Sequence, residues 1–205
     1  MMLAGAYPVN TDIQIFNIAT TGNAVDSGFD FGVSRYLGGA ASDRTRGVYF
    51  GGYSPSAQIR FNSIPSVGST SDFGDLTSAR FGATGVSNST RGISLGGSGP
   101  SGSTIGAGMN NIDYVTIQSL GDAVDFGDLI QELASCQSCQ SQTRGIITGG
   151  IQDSDNAAQN GIEYITMSTL GNAKDFGDMS AAHRGNNNGG GGNAVRGIFH
   201  IGATY

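Results

Sequence analysis

The 205-residue chain carries a net charge of −6, with 38% hydrophobic and 13% charged residues, enough apolar content for one core and too little charge for the class that stays disordered. Ten Lys and Arg among this acidic excess form no basic stripe, which argues against a nucleic-acid partner, because phosphate binding is built from Lys and Arg. Glycine fills 35 positions, more than twice the usual share of about 7%, without the every-third-residue period of collagen, so the excess belongs to tight turns.

Residues 1–10 read as a partial-strand stub. Met1-Met2-Leu3-Ala4-Gly5-Ala6-Tyr7 lacks a positive n-region, and no stretch approaches the roughly 18 apolar residues that span a bilayer. The expectation is a soluble chain with neither signal peptide nor transmembrane segment and no membrane partner.

The rest divides into four copies of one unit within a single repeat domain: residues 11–56, 57–109, 110–159 and 160–205. Each opens on an alternating segment, Ile13-Gln14-Ile15-Phe16, Ile59-Arg60-Phe61, Ile112-Asp113-Tyr114-Val115 and Ile162-Glu163-Tyr164-Ile165, whose period of two predicts a strand. Next comes an acidic glycine motif, degenerate in the first copy as Asp26-Ser27-Gly28-Phe29-Asp30 and then Asp72-Phe73-Gly74-Asp75, Asp125-Phe126-Gly127-Asp128 and Asp175-Phe176-Gly177-Asp178. Small residues dominate 37–42, 82–89, 134–141 and 185–193, which predicts a strand crowded against an axis. An Arg-Gly pair then opens an apolar run ending in glycine, at Arg46, Arg91, Arg144 and Arg196, with intervals of 45, 53 and 52 residues. These runs close at Gly52, Gly97, Gly150 and Gly202.

Four short strands per copy and no helical period predict an all-β fold of four-stranded sheets, one per propeller blade. Leu3-Ala4-Gly5-Ala6-Tyr7 echoes Ile201-Gly202-Ala203-Thr204-Tyr205. Four blades closed by pairing of the N- and C-terminal strands is the expected arrangement, and five partial blades completed by a neighbour is its alternative.

Chemistry is sparse. Asp72, Asp125 and Asp175 invite a calcium or acid/base reading, but the motif recurs once per copy, so its copies spread around the ring and a turn role is expected. The four arginines either ring an anion-binding mouth or pair with aspartates of their own or the adjacent blade, the second being favoured. Cys136 and Cys139 lack the further ligands of a zinc site, with only His183 and His200 in the chain, and read as small packed residues. No catalytic residue, cofactor site or metal site is assigned.

The Gly-Gly pairs, the variable loops after them and the aromatics Phe61, Tyr114 and Tyr164 on the next strand resemble the kelch repeat, although its tryptophan is absent. Thr169-Leu170-Gly171-Asn172-Ala173-Lys174-Asp175-Phe176-Gly177-Asp178 followed by an Arg-Gly strand is similar to kelch-like modules in structural proteins of tailed bacteriophages, notably marine ones. That resemblance implies a kelch-like β-propeller and a non-enzymatic virion protein in multiple copies, decorating the capsid or forming part of the tail or fibres. Its partners are then other virion proteins and a host surface glycan or receptor. The alternative is a carbohydrate-binding propeller. Specificity is expected where the copies differ, in the loops after the Gly-Gly pairs, with Tyr53, Met109, Ile151 and Asp153 as candidate partner contacts.

Overall fold

The computed structural model describes residues 2–3, 11–32, 36–53, 55–100, 108–152, 157–183 and 190–200. They form antiparallel sheets, with no helix among the described residues, and hence none long and apolar enough to cross a membrane.

An N-terminal sheet holds β1 (Met2–Leu3), β2 (Asp12–Ile15) and β3 (Val25–Asp30) in that order. The first full sheet runs β4 (Gly39–Ser42), β5 (Arg46–Phe50), β6 (Ser56–Ser63), β7 (Ser71–Arg80). The second repeats it with β8 (Thr84–Ser87), β9 (Arg91–Leu95), β10 (Met109–Thr116) and β11 (Val124–Ala134). The third uses β12 (Gln137–Gln140), β13 (Arg144–Thr148), β15 (Gln159–Thr166) and β16 (Lys174–His183), while β14 (Ile151–Gln152) crosses to the outer edge of β11. The C-terminal pair is β17 (Gly191–Gly192) with β18 (Gly197–Ile198).

Sheets and sequence repeats are therefore out of phase. Each full sheet takes its small-residue strand and Arg-Gly strand from the end of one copy and its alternating and acidic-glycine strands from the next. At the end of the last copy, β17 and β18 supply only those first two strands, and the N-terminal sheet holds the complementary outer two, β2 and β3. The expected terminal pairing is not made among the described residues: β2 takes β1 as its neighbour, and β17–β18 stand as a separate sheet. β1 fills the slot of an Arg-Gly strand, since Leu3 faces Ile13 as Phe50 faces Ile59.

The small-residue strands pack on one another, as the sequence predicts. A Cβ on Gly85 would run into the Ala40 backbone, and one on Gly190 would lie 2.7 Å from the Ser138 carbonyl oxygen. Side-chain hydroxyls stitch the same layer, with Ser87 Oγ donating to the Ser42 carbonyl at 2.8 Å and Ser138 Oγ to the Gly85 carbonyl at 3.1 Å. From this axis the sheets fan outward in a propeller-like arrangement.

The Gly-Gly pairs end each Arg-Gly strand in left-handed backbone, at φ 61° and 124° for Gly51 and Gly52, with the same signature at Gly96, Gly97, Gly149 and Gly150. Two consecutive residues in that region favour glycine strongly. The turn lets the amides of Gly52, Gly97 and Gly150 reach the carbonyls of Arg80, Leu133 and His183 at the ends of the outer strands. Gly202 lies outside the described residues.

Two cores fill the spaces between sheets. Val48, Phe50, Ile59, Phe73 and Leu76 of the first sheet meet Val115, Ile117 and Ala123 of the second. Ile93, Leu95, Ile112, Phe126 and Leu129 of the second meet Ile147, Ile165, Met167 and Ala173 of the third.

Candidate functional site

The turn before each Arg-Gly pair is built alike. Asp43 accepts from the amides of Thr45 and Arg46 at 2.7 Å each, Asn88 from Thr90 and Arg91 at 2.8 Å, and Asn193 from Val195 and Arg196 at 2.8 and 2.9 Å. Ser141 does the same for Thr143 and Arg144 at 3.3 and 3.1 Å. These are side-chain-capped turns, for which Asp, Asn and Ser are suited. All four line one cavity of about 830 Å³ with a polar wall that includes Arg44, Thr45, Gln140 and Gln142. Burial raises the pKa of Asp43, but hydrogen bonds from the Arg46 amide, the Gln118 side chain, and the amide and hydroxyl of Thr45 outweigh it and hold the carboxyl below its usual value.

Among the described residues, none of Arg46, Arg91, Arg144 and Arg196 lines this cavity, and no ion pair joins Arg46 or Arg91 to an aspartate. Arg46 lies over the Phe61 ring of its own sheet, 4.9 Å from the centroid, and donates at 3.0 Å to the Ile117 carbonyl of the next. Arg91 lies over Tyr114 at 4.8 Å and donates at 2.8 Å to Met167. Arg144 keeps the ring contact, 4.8 Å over Tyr164, but is exposed and donates to no described carbonyl. Arg196 is exposed.

The acidic motifs act between sheets as well. They do so through the main chain: the backbone carbonyls of Phe73 and Asp75 accept from the amides of Gly121 and Ala123, and those of Phe126 and Asp128 from Gly171 and Ala173, all at 2.8 to 2.9 Å. Asp30 accepts from Thr70 at 3.3 Å in the corresponding place. Asp72, Asp125 and Asp175 open the outer strands on exposed backbone, one per sheet, and do not converge. Among the described residues, no group of three or more His, Cys, Asp or Glu side chains could hold a metal ion.

A second set of contacts was not singled out from sequence. Gln14, Arg60, Asp113 and Glu163 hold the same place on the alternating strand; Asp113 and Glu163 bind the preceding sheet, and Arg60 binds Thr70 of its own sheet, which reaches the N-terminal sheet. Asp113 forms a fully buried ion pair with Arg80 of the preceding sheet and accepts from the Thr77 amide and hydroxyl at 3.0 and 2.8 Å. Glu163 accepts from the Ile130 amide at 2.8 Å, and burial pushes its carboxyl pKa up, with the Ile130 and Gln131 amides pulling it partly back. Arg60 holds Thr70 through its hydroxyl at 2.6 Å and its carbonyl at 2.8 Å, and the Thr70 hydroxyl donates to Phe31. The available signal was a change of charge at one repeat position, with Arg80 closing the strand before Asp113.

The candidate partner contacts scatter. Tyr53 is 42% exposed, stacks on Tyr36 at 4.7 Å between centroids and meets Phe81 edge-on. Met109 is half-buried and paired with Leu133. Ile151 is buried, because β14 is tucked onto β11, so it offers no contact surface. Asp153 lies outside the described residues, as do residues 101–107 of the loop 98–111. Cys136 and Cys139 are buried free thiols, and burial raises the pKa of both.

No protein-family model and no curated protein matches the sequence. Among solved structures, the chain is similar to the structure of YjhT, with a TM-score of 0.62 and 13% identity over 75% of this chain. That match spans about half of the other chain, 54%. It is a likeness of fold.

Proposed function

We propose that the chain is a non-enzymatic structural and interaction module, a kelch-like four-bladed propeller serving in the particle of a tailed phage as a capsid decoration or a tail or fibre component. The observation that supports the scaffold role is where the repeated polar chemistry is used. The Arg46 and Arg91 side chains and the backbone carbonyls of the acidic glycine motifs at Asp75 and Asp128 join one sheet to the next, so the markers shared by the copies serve rigidity and leave recognition to the loops. Four capped turns around one cavity support four blades on one axis. The phage setting rests on the resemblance of the repeat wording. Antibody labelling of purified particles tests it: the chain is expected in the virion at fixed copy number, and its absence from washed particles overturns the assignment.

A carbohydrate-binding reading is favoured by one feature, the stacked and partly exposed Tyr36–Tyr53 pair, since aromatic faces suit the apolar face of a sugar ring. A glycan array tests it, with loss of signal in Tyr53→Ala expected; no binding by the wild-type chain removes the reading.

A further inference from the structure

The same joint is built twice within the chain and left open a third time. In the first two joints, one face of a sheet receives the next sheet's alternating strand and the turn after it, and the arginine reaches over to bind a carbonyl. Phe73 and Phe126 are 3% and 2% exposed there, and the incoming Ile117 and Met167 are fully buried. The Cβ position of Gly127 meets the Gly171 backbone at 2.6 Å, and Gly74 meets Gly121 more closely still.

The third sheet presents the same receiving face without an occupant among the described residues. Phe176, the counterpart of Phe73 and Phe126, is 54% exposed. Nothing lies within 4 Å of the Gly177 Cβ position. Ile146 and Ile162 are only half-buried, where their counterparts Val48, Ile93, Ile59 and Ile112 are wholly buried. Together with Arg144, Val195 and Phe199 they line a cavity of about 340 Å³ between the third sheet and β17–β18.

The incoming half of the joint also exists on the chain, and it too is open. Phe16, Ile18 and Ala24 occupy the repeat places of Val115, Ile117 and Ala123, yet Ile18 is 87% exposed, and Phe16 and Ala24 are exposed. The N-terminal sheet that carries them is held on the first full sheet by Asp30, Phe31, Arg60 and Thr70, and its inner edge is taken by β1. Both halves are thus exposed on one molecule whose N-terminal sheet is already anchored elsewhere.

We infer that the open face of the third sheet, centred on Phe176 and Arg144, receives the N-terminal half-sheet of a second copy of this chain. Ile18 of that copy packs against Phe176, and its Ile18 carbonyl accepts from Arg144 as Ile117 and Met167 accept from Arg46 and Arg91. β18 then lies beside the incoming β2 in the slot held by the two residues of β1, which costs few ladder bonds to vacate. The contact is head-to-tail, so it builds either a closed ring or an extended array. It rests on the repeat architecture and not on the phage setting, and solution oligomerisation is read independently of particle association.

Light scattering on the full-length chain during size exclusion tests the inference. The wild-type chain is expected to be oligomeric, and Ile18→Asp and Phe176→Asp each monomeric, because each spoils one half of the joint. An equimolar mixture of the two variants regains one intact joint and is expected to form a 1:1 dimer. Circular dichroism spectra matching wild type are expected for both variants, since both side chains are exposed in the monomer, while only the wild-type urea midpoint should rise with protein concentration. Arg144→Glu, at a surface position, serves as a second receiving-face variant and should also dimerise with Ile18→Asp. A monomeric wild-type chain, or mixtures that stay monomeric, overturns the inference and points to closure within one chain.

Discussion

The guanidinium of Arg91 donates to the carbonyl of Met167 while lying over the ring of Tyr114, so one side chain fastens two sheets. A charged donor to a carbonyl contributes about 1.5–3 kcal/mol, and the ring contact adds about 0.5–1 kcal/mol. Arg91→Ala is expected to lower stability by about 2 kcal/mol in urea denaturation. Arg46→Ala behaves alike through Ile117. Arg144→Ala, with only its ring contact, should lower the stability of the monomer by about 0.5 kcal/mol or less. Equal losses at all three positions would contradict the open third joint.

Repeat markers made the strand set legible. Among the described residues, the small-residue runs, the Gly-Gly turns and the alternating strands appear where periodicity places them. What the markers do was less legible, because a repeat argument keeps what the copies share. The repeat position holding Gln14, Arg60, Asp113 and Glu163 is polar in every copy and not constant in charge, so it looks like the solvent side of an alternating strand. In stacked sheets both faces are buried, and the polar half of the alternation becomes an inter-sheet contact. The direction of the arginines was hidden for a related reason: their acceptors are backbone carbonyls 71 and 76 residues away, and a carbonyl leaves no residue-type signature.

Asp113 and Arg80 are each fully buried. Removing one member of such a pair strands the other charge and costs about 3–5 kcal/mol. Asp113→Ala is expected to show that loss in urea denaturation, deepened by the unpaired Thr77 amide. The double variant Arg80→Met/Asp113→Ala should be more stable than Asp113→Ala alone, since no guanidinium is then stranded. A double variant less stable than the single one would mean that the arginine serves mainly through its bond to the Asn111 carbonyl.

Glu163 gives a pH signature. Burial outweighs the two amide bonds that favour the charge and leaves its pKa above the ordinary 4.5. An acid with a raised folded pKa contributes stability in full below its unfolded value and loses it as pH rises through the folded value. Glu163→Gln keeps an acceptor for the Ile130 amide and cannot ionise. Its stability relative to wild type is therefore expected to rise with pH from about 4 to about 7, measured by urea midpoints across that range. A relative stability that falls with pH would reverse the sign and show that the amide bonds outweigh burial.

Cys136 is buried and close-packed, with its sulfur 2.6 Å from the Cβ position of Gly150, and burial raises its thiol pKa. Thiolate is the reactive form. In native protein, Cys136 is expected to resist a thiol-specific disulfide reagent and to react fully only after urea unfolding, with Cys139 also slow because burial raises its pKa too. Rapid reaction of Cys136 in the folded chain would show that the second and third sheets open locally.

The axis sets the narrowest tolerance in the molecule. A Cβ on Gly85 would meet the Ala40 oxygen, carbon and nitrogen, all under 3.0 Å, and backbone atoms cannot step aside as a flexible side chain can. Overpacking of a tight interior costs about 1–3 kcal/mol and occasionally more, so Gly85→Ala is expected at the upper end of that range. Gly161→Ala makes the comparison on another strand, because its Cβ position has nothing within 4 Å, and its effect should stay within about 0.5 kcal/mol. Urea denaturation of the two variants reads the difference. Similar small losses in both would mean that β4 and β8 can separate at little cost, and that rigidity comes from the arginine and aspartate contacts farther out.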